Sequence, residues 1–308
     1  MPAIITHHLF GEDASSLLPE GILTGSEDLL AFLLGNQGPD PLWARVRTLP
    51  GKARACHGVS SLMHAGHMAD AFLSMRNSVV HLSEDDKTCG RAFVLGMAAH
   101  YLLDSTTHPL IYAQEQELTQ ADPSLVASRS DVHALMEAEI DSWTLWQKRQ
   151  QTVIDYPCAG SLACTERIER VAGALISQVA WEVFGVEIGA AEYAGAVADY
   201  RLLYKIVDKP DGRLLKVLAR LERLGRPHSH LSALSHPIVS SDTCASANLA
   251  HRLWRNPSTG ETSNASFPDL FHDALIAWPV FAKRLAEGDR ERLTAMIGGI
   301  NYNGIPVG

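Results

Sequence analysis

The chain has 308 residues, of which 46% are hydrophobic and 20% charged, and its net charge is −9. This length permits a sizeable buried core, the composition is that of a globular protein rather than a disordered one, and the negative charge disfavours a nucleic-acid backbone as the main partner. No apolar run approaches the roughly 20 residues that span a bilayer, so no membrane span is predicted. Fourteen histidines prompt a search for ligand clusters.

The first residues, MPAIITHHLFGEDASS, lack the basic region and the long apolar region of a secretory signal. The five cysteines form no Cys-x-x-Cys pair, which is typical of reduced thiols. Together these features predict a cytoplasmic protein.

Apolar residues recur at three- and four-residue steps along almost the whole chain, which predicts an all-α fold. One helix is predicted over about 59–80. A second begins at Ser83, whose hydroxyl and acidic followers suit a helix N-terminus, and runs to His100. A third, capped near 128–130, continues past Trp146. Further helices are predicted near 25–34, 165–183, 189–206, 211–223, 242–254 and 268–287. We interpret 1–308 as a single all-α domain in which 1–155 carries the metal ligands and 165–308 forms a helical second half.

The stretch from His100 to His108 repeats a metal-capable side chain every four residues, with Asp104 between the two histidines. A helix turns about 100° per residue, so these three side chains share one face. His133 and Glu137 repeat the spacing on another predicted helix. A buried ionised carboxylate is costly unless it is paired or metal-bound, so the set predicts a metal centre. Because a proline biases the preceding residue away from helical geometry, His108 is expected at a helix end.

Further candidate ligands lie upstream: Asp40 between two prolines, His64 after an apolar run, and His7. Asp141, one turn beyond Glu137, is predicted to orient His133 or another ligand. Imidazole and carboxylate without thiolate suit Zn²⁺, Mn²⁺ or Fe²⁺, and zinc is expected for a non-redox hydrolase. The sequence contains no Glu-x-x-His, His-Glu-x-x-His, Gly-x-Ser-x-Gly or phosphate-binding glycine loop. Their absence disfavours a di-iron bundle, a zincin protease, a serine esterase and a nucleotide site.

An ordered set of short motifs resembles the zinc-dependent phospholipase C family, which is related in fold to the S1/P1-type nucleases. The motifs are THHLFG (6–11), GNQGPD (35–40), LMH (62–64), AHYLLD (99–104), HP (108–109), His133 with Glu137 and Asp141, and later NLAHRLWRNP (248–257) and Ser266-Phe267.

The resemblance implies an all-α phospholipase C/P1 nuclease-like bundle around two zinc ions, with a third ion left open. It implies a first zinc held by Asp40, His64, His100 and Asp104, a second held by His108, His133 and Glu137, and a bridge from Asp104 to a third site that includes His7. In secreted members the amino group of an N-terminal Trp completes the third site, whereas this chain begins Met1-Pro2.

The implied activity is hydrolysis of a phosphoester by a zinc-activated water, which Asp40, the catalytic residue, orients or deprotonates. The substrate is a phospholipid, or a small soluble phosphodiester or monoester. We recognise no amphipathic basic helix for a membrane surface. Nucleic acid is not expected, because basic and aromatic residues do not interleave.

Three alternatives stay open. One is a nuclease of the related fold. Another is a family member recruited to a non-hydrolytic reaction, or a metal-stabilised binding protein. The third is an HD-type phosphohydrolase, for which His272-Asp273 supplies the dipeptide. The later histidines have no assigned role: His228 and His230 line the pocket or the surface, His236 is unassigned, and His251 shares a predicted helical face with Trp254 that walls either the active site or the core.

Overall fold

The computed structural model describes residues 3–307, and this part of the chain is almost entirely helical. Its helices are α1 (Ile4–Ser16), α2 (Ser26–Gly35), α3 (Pro50–Ala65), α4 (Met68–Ser78), α5 (Lys87–Ala121), α6 (Arg129–Arg149), α7 (Glu166–Phe184), α8 (Ala190–Val207), α9 (Arg213–Glu222), α10 (His230–Ala233), α11 (Phe267–Glu287) and α12 (Arg290–Ile297). Strand β1 (Trp254–Arg255) pairs antiparallel with β2 (Thr262–Ser263). The predicted all-α fold is confirmed.

Helix α5 runs through the centre of the molecule and carries the His100–His108 stretch. Helix α2 crosses it where Gly35 faces Gly96. A Cβ at Gly35 would lie 2.2 Å from the carbonyl oxygen of Phe93, and one at Gly96 would lie 2.0 Å from that of Phe32. The two backbones are therefore in direct contact. This contact lies one turn before His100 and positions the loop after α2 against α5.

The expected helix end at His108 is wrong, because α5 continues through Pro109 to Ala121. A proline inside a helix removes one backbone hydrogen bond and strains the preceding turn. Tertiary contacts on both sides of the proline hold the helix here: His108 Nδ1 donates to the carbonyl of Tyr302 (2.8 Å), and the Tyr112 hydroxyl donates to Asn303 (3.0 Å).

Two other predicted helices are also wrong. The helix over 59–80 is divided into α3 and α4 at His67, whose φ is +63°. The helix over 242–254 is a loop with one 3₁₀ turn, in which Asn248 and His251 both have positive φ. The Asn248 side chain donates to the carbonyls of Arg252 and Ala265, so it takes over contacts that a helix would make with its own backbone. Helix α1 and the short helices α10 and α12 were not predicted.

The main hydrophobic core draws side chains from both ends of the chain, from Ile4 to Tyr302. Trp278 of α11 packs against Phe32 of α2 and donates from its indole nitrogen to the carbonyl of Ala14 (2.9 Å). A smaller cluster beside α5 and α6 contains Trp254 and Phe267. The division into a ligand-bearing first half and a helical second half stays a prediction. Among residues 3–307, no helix is long and apolar enough to span a bilayer.

Candidate metal centre

Three groups of imidazole and carboxylate side chains lie together along α5. They are His7 with His100 and Asp104; Asp40 with His64 and His100; and His108 with His133 and Glu137. All eight predicted ligand residues thus lie in these groups. The four ligands implied for the first zinc divide over two groups that share His100, and Asp104 lies in the group with His7.

The group of Asp40, His64 and His100 forms where three segments meet. Asp40 begins the 3₁₀ helix Asp40–Ala44 and is 2% exposed, whereas His64 lies in the last turn of α3. His64 Nε2 lies 3.1 Å from Asp40 Oδ1. Burial raises the pKa of Asp40, but neighbouring positive groups, His64 and His100 among them, lower it to about 2. Asp40 is therefore a carboxylate at neutral pH.

Asp104 connects this group to His7. Its Oδ1 accepts a hydrogen bond from His7 Nε2 (3.0 Å), and its Oδ2 lies 3.2 Å from His100 Nε2. The rings of His7 and His100 stack with their centroids 4.0 Å apart. Burial raises the pKa of Asp104, yet the charges of His108, His100 and His7 hold it well below its usual range. A carboxylate with one oxygen toward each of two imidazoles is suited to bridge two cations.

The third group lies one turn further along α5. His133 Nε2 lies 3.2 Å and His108 Nε2 3.4 Å from Glu137 Oε1. His133 Nδ1 lies 3.3 Å from Glu115 of α5. Burial lowers the pKa of His133, but Glu137 and Glu115 raise it to about 9. The two glutamates therefore favour a positive charge at His133, either a proton on its ring or a cation bound between the ring and Glu137.

The hydrogen-bonded states of the imidazole rings fit metal binding. His64 Nδ1 lies 2.8 Å from the carbonyl of Ser60, and His100 Nδ1 lies 3.1 Å from that of Asn36. A carbonyl only accepts, so in the neutral ring Nδ1 carries the proton and Nε2 presents a lone pair. Each Nε2 faces a carboxylate oxygen, Asp40 Oδ1 or Asp104 Oδ2, and none of these four buried atoms has a hydrogen-bond partner among the described residues. The lone pairs of each Nε2 and the carboxylate oxygen that it faces repel each other, and a cation bound between them would remove this repulsion. A carbonyl that accepts from the other ring nitrogen is typical of metal-binding histidines.

The ligand cluster encloses a small cavity and is partly open to solvent. A cavity of about 20 Å³ lies among His7, Asp104, His108 and Glu137, which is the size of one water molecule or ion. The His64 and His133 side chains are 17% and 12% exposed, whereas that of His100 is fully buried. Solvent therefore reaches the cluster at its His64 and His133 edges.

Asp141 bonds neither to His133 nor to another predicted ligand side chain, contrary to the prediction. Its two oxygens accept from the backbone N–H groups of Ile5 (2.8 Å) and Thr6 (2.7 Å), so it caps the start of α1 from α6. His236 supports it, with Nε2 3.0 Å from Asp141 and Nδ1 2.9 Å from Asp208. Burial lowers the pKa of His236, but its anionic neighbours raise it well above the usual value. In the group of Cys158, Asp208 and His236, the Cys158 thiol donates to Asp208 (2.9 Å) and His236 bonds to Asp208 and Asp141, so these side chains satisfy one another.

Sequence reasoning missed several residues that position the ligands. The Asn36 side chain donates to the carbonyl of His7 (2.6 Å), and Gln37 donates to that of Ile4 (3.1 Å). The Tyr302 ring packs on the rings of His64 and His100, and its carbonyl accepts from His108. The GNQGPD motif signalled the first two contacts. No local pattern could indicate the third, because Tyr302 lies 194 residues from His108.

The family model for zinc dependent phospholipase C matches residues 6–182. The chain belongs to this family. The matched segment includes every residue of the three groups along α5. No curated protein and no solved structure matches the chain. As a member of the zinc-dependent phospholipase C family, the protein has several groups of ligands suited to zinc. Residues 1 and 2 lie outside the described residues, so whether an amino group completes the third site, as in secreted members of the family, stays open.

The remaining histidines lie away from the centre. His228 and His251 are exposed, and Trp254 is buried in the core, so the predicted helical face of His251 and Trp254 does not exist. His230 pairs with Asp131 at the start of α6 (2.8 Å). His272 and Asp273 are both exposed on α11 and belong to none of the ligand groups among the described residues, which gives the HD-type alternative no support.

Gly38 is expected to be essential for the position of His100. Its φ is +59°, and a Cβ there would lie 2.2 Å from His100 Cδ2 and 2.4 Å from His100 Nε2. We expect Gly38→Ala to displace the ring and weaken zinc binding by about 10- to 100-fold, the range found for groups that support metal ligands. The measurement is zinc affinity by competition with a chromogenic chelator.

Gly185→Ala is the matched control for this substitution. Gly185 also has positive φ (+65°), but a Cβ there would meet nothing within 4 Å. The Gly185→Ala substitution therefore introduces the same kind of backbone strain as Gly38→Ala but no steric clash. Equal zinc affinity for Gly38→Ala and wild-type protein would contradict the assigned role of Gly38.

Proposed function

We propose that this protein is a zinc-dependent phosphoesterase that uses the cluster along α5 to hydrolyse a phospholipid headgroup ester or a small soluble phosphoester. The observation that carries the proposal is the pairing of inward-facing imidazole nitrogens with carboxylate oxygens at Asp40 and Asp104. Such a donor set suits zinc held for hydrolysis, and the family membership supports the same chemistry.

Two sets of residues would hold the essential ions: Asp40, His64, His100 and Asp104 on one side, and His108, His133 and Glu137 on the other. His7 and Asp104 would add a third position. Bound zinc ions supply positive charge to the phosphoryl oxygens and lower the pKa of a water molecule toward about 7.

Asp40 is the best candidate to act on the attacking water. It lies in the group that includes the partly exposed His64, and its Oδ1 accepts no hydrogen bond among residues 3–307. With a pKa of about 2, this carboxylate is a weak base, so its expected role is to orient the water by accepting a hydrogen bond.

Metal analysis and substrate comparison test the proposal. The purified protein is expected to contain zinc, to lose activity with a chelator and to regain it with zinc. Hydrolysis is measured on p-nitrophenyl phosphorylcholine, on bis-p-nitrophenyl phosphate and on single-stranded DNA. Turnover of either small ester supports a phosphoesterase, whereas turnover of DNA alone would favour the nuclease alternative. A zinc-loaded protein that cleaves none of them would overturn the proposal.

A further inference from the structure

Helix α9 has an amphipathic exposed surface, contrary to the expectation that no amphipathic basic helix is present. None of its residues is buried. Leu214, Val217 and Leu221 are 46%, 52% and 59% exposed, and Leu224 just beyond the helix is 86% exposed. Their spacing of three and four residues places them on one side of the helix. A continuous apolar stripe on a surface helix, rimmed by polar residues, is typical of an interaction site.

Basic residues lie beside this stripe. The segment 213–226 contains five basic residues and one acidic residue, for a net charge of +4 in a chain whose net charge is −9. Arg213, Lys216, Arg220 and Arg223 form no ion pair among the described residues. At 100° per residue these four side chains lie on the arc next to the apolar stripe. The outward side of α9 therefore presents leucine and valine beside a row of free cations.

Helix α9 is linked through the following segment and α10 to α6, the helix that carries His133. Glu222 accepts from the Ser229 hydroxyl (2.5 Å) and the Leu231 amide (3.2 Å), which ties α9 to α10. Arg226 (3.1 Å) and His230 (2.8 Å) both bond to Asp131 of α6. Asp131 precedes His133 by two residues, and His133 forms one of the two partly exposed edges of the ligand cluster.

We propose that α9 docks on the surface of an anionic lipid bilayer, with its apolar stripe inserted at the level of the headgroups. An interfacial helix of this type combines an exposed apolar side with lysine and arginine, and its affinity depends on anionic lipid. Charge complementarity selects this occupant over a symmetric pairing of α9 with the α9 of a second copy, because that pairing would bring the same four cations against each other. The inference rests on the proposed function only in naming the substrate class, a phospholipid in that surface.

Co-sedimentation with vesicles tests the docking directly. The zinc-loaded wild-type protein is expected to bind vesicles of 70% phosphatidylcholine and 30% phosphatidylglycerol, and to bind less as salt increases. The pair Lys216→Glu with Arg220→Glu is expected to weaken this binding at least about tenfold. The pair Val217→Gln with Leu221→Gln is expected to weaken it as well, since insertion of the apolar side chains is lost.

Matched controls use exposed residues of α11: Lys283→Glu, a lysine without an ion pair among the described residues, and Ile276→Gln, whose side chain is 63% exposed. Both controls are expected to bind vesicles like the wild type. Failure of the wild type to bind at low salt would overturn the docking, as would equal losses in the α9 and α11 variants. A dimer in sedimentation equilibrium that Leu221→Gln dissociates, without vesicle binding, would overturn it in favour of self-association.

These measurements distinguish a failure of the membrane docking from a failure of the proposed function. Turnover of the soluble p-nitrophenyl phosphorylcholine does not require a bilayer, so the α9 variants are expected to keep the wild-type rate on it. Vesicle binding without turnover of any phosphoester would leave the docking intact and contradict the phosphoesterase. Turnover of a phosphoester without vesicle binding would support the phosphoesterase and contradict the docking.

Discussion

Replacing Asp104 by Asn is expected to reduce bound zinc and to lower the hydrolytic rate by more than about a hundredfold. Asp104 is the carboxylate that faces both His7 and His100, at 3.0 and 3.2 Å. Asn has nearly the same shape, but its amide supplies one neutral oxygen where the proposed zinc cluster would use two anionic ones. Loss of a supporting group alone costs about 10- to 100-fold in metal affinity or activity, so loss of a bridging ligand is expected to cost more. Zinc content by mass spectrometry and the rate on p-nitrophenyl phosphorylcholine are the two measurements.

Asp28→Asn is the control for a buried carboxylate outside the cluster. Asp28 is 4% exposed and bonds to the amide (3.0 Å) and hydroxyl (2.6 Å) of Thr24. Its isosteric change is expected to leave zinc content unaltered. An Asp104→Asn protein with the wild-type zinc content and rate would show that the cluster is not the metal centre.

The recurrence of ligands on α5 and α6 could be predicted because helical spacing is a local property. His100, Asp104 and His108 share a face whatever surrounds them, and the same holds for His133 and Glu137. What the sequence could not indicate are the contacts that fix the rings, such as the carbonyls of Asn36 and Tyr302. These depend on where distant segments return to α5, and backbone groups carry no sequence signal.

The errors have physical causes of the same kind. Pro109 predicted a helix end, but contacts of His108 and Tyr112 with the C-terminal segment hold α5 through it. The helix near 211–223 is predicted from its sequence but its exposed amphipathic surface is not, because periodicity does not distinguish a buried side from an exposed one. Only the accessibility of Leu221 and its neighbours makes that distinction.

Removal of the Asp199 side chain is expected to destabilise the protein strongly. The carboxylate of Asp199 on α8 is fully buried, accepts from the amides of Val46 and Arg47 (both 2.9 Å), and pairs with the guanidinium groups of Arg45 (2.7 Å) and Arg47. Residues 45–47 directly follow the 3₁₀ helix that begins at Asp40. Breaking a buried ion pair costs about 3–5 kcal/mol, so Asp199→Ala is expected to lower the free energy of unfolding by that amount. Urea denaturation measures it.

The same carboxylate makes a defined contribution to the pH dependence of stability. Burial raises the pKa of Asp199, but the amides of Arg47 and Val46 and the two guanidinium groups lower it to about 2, below the value of about 4 in an unfolded chain. A lowered folded-state pKa stabilises the protein above the unfolded value, and this stabilisation is lost as the pH falls from about 4 through about 2. The wild type is therefore expected to lose more stability than Asp199→Ala over this interval. Asp273→Ala, at an exposed aspartate that forms no ion pair or hydrogen bond through its side chain among the described residues, is expected to follow the wild-type curve. Parallel pH profiles for wild type and Asp199→Ala would exclude an ionised Asp199 as the group that holds the Asp40 segment in place.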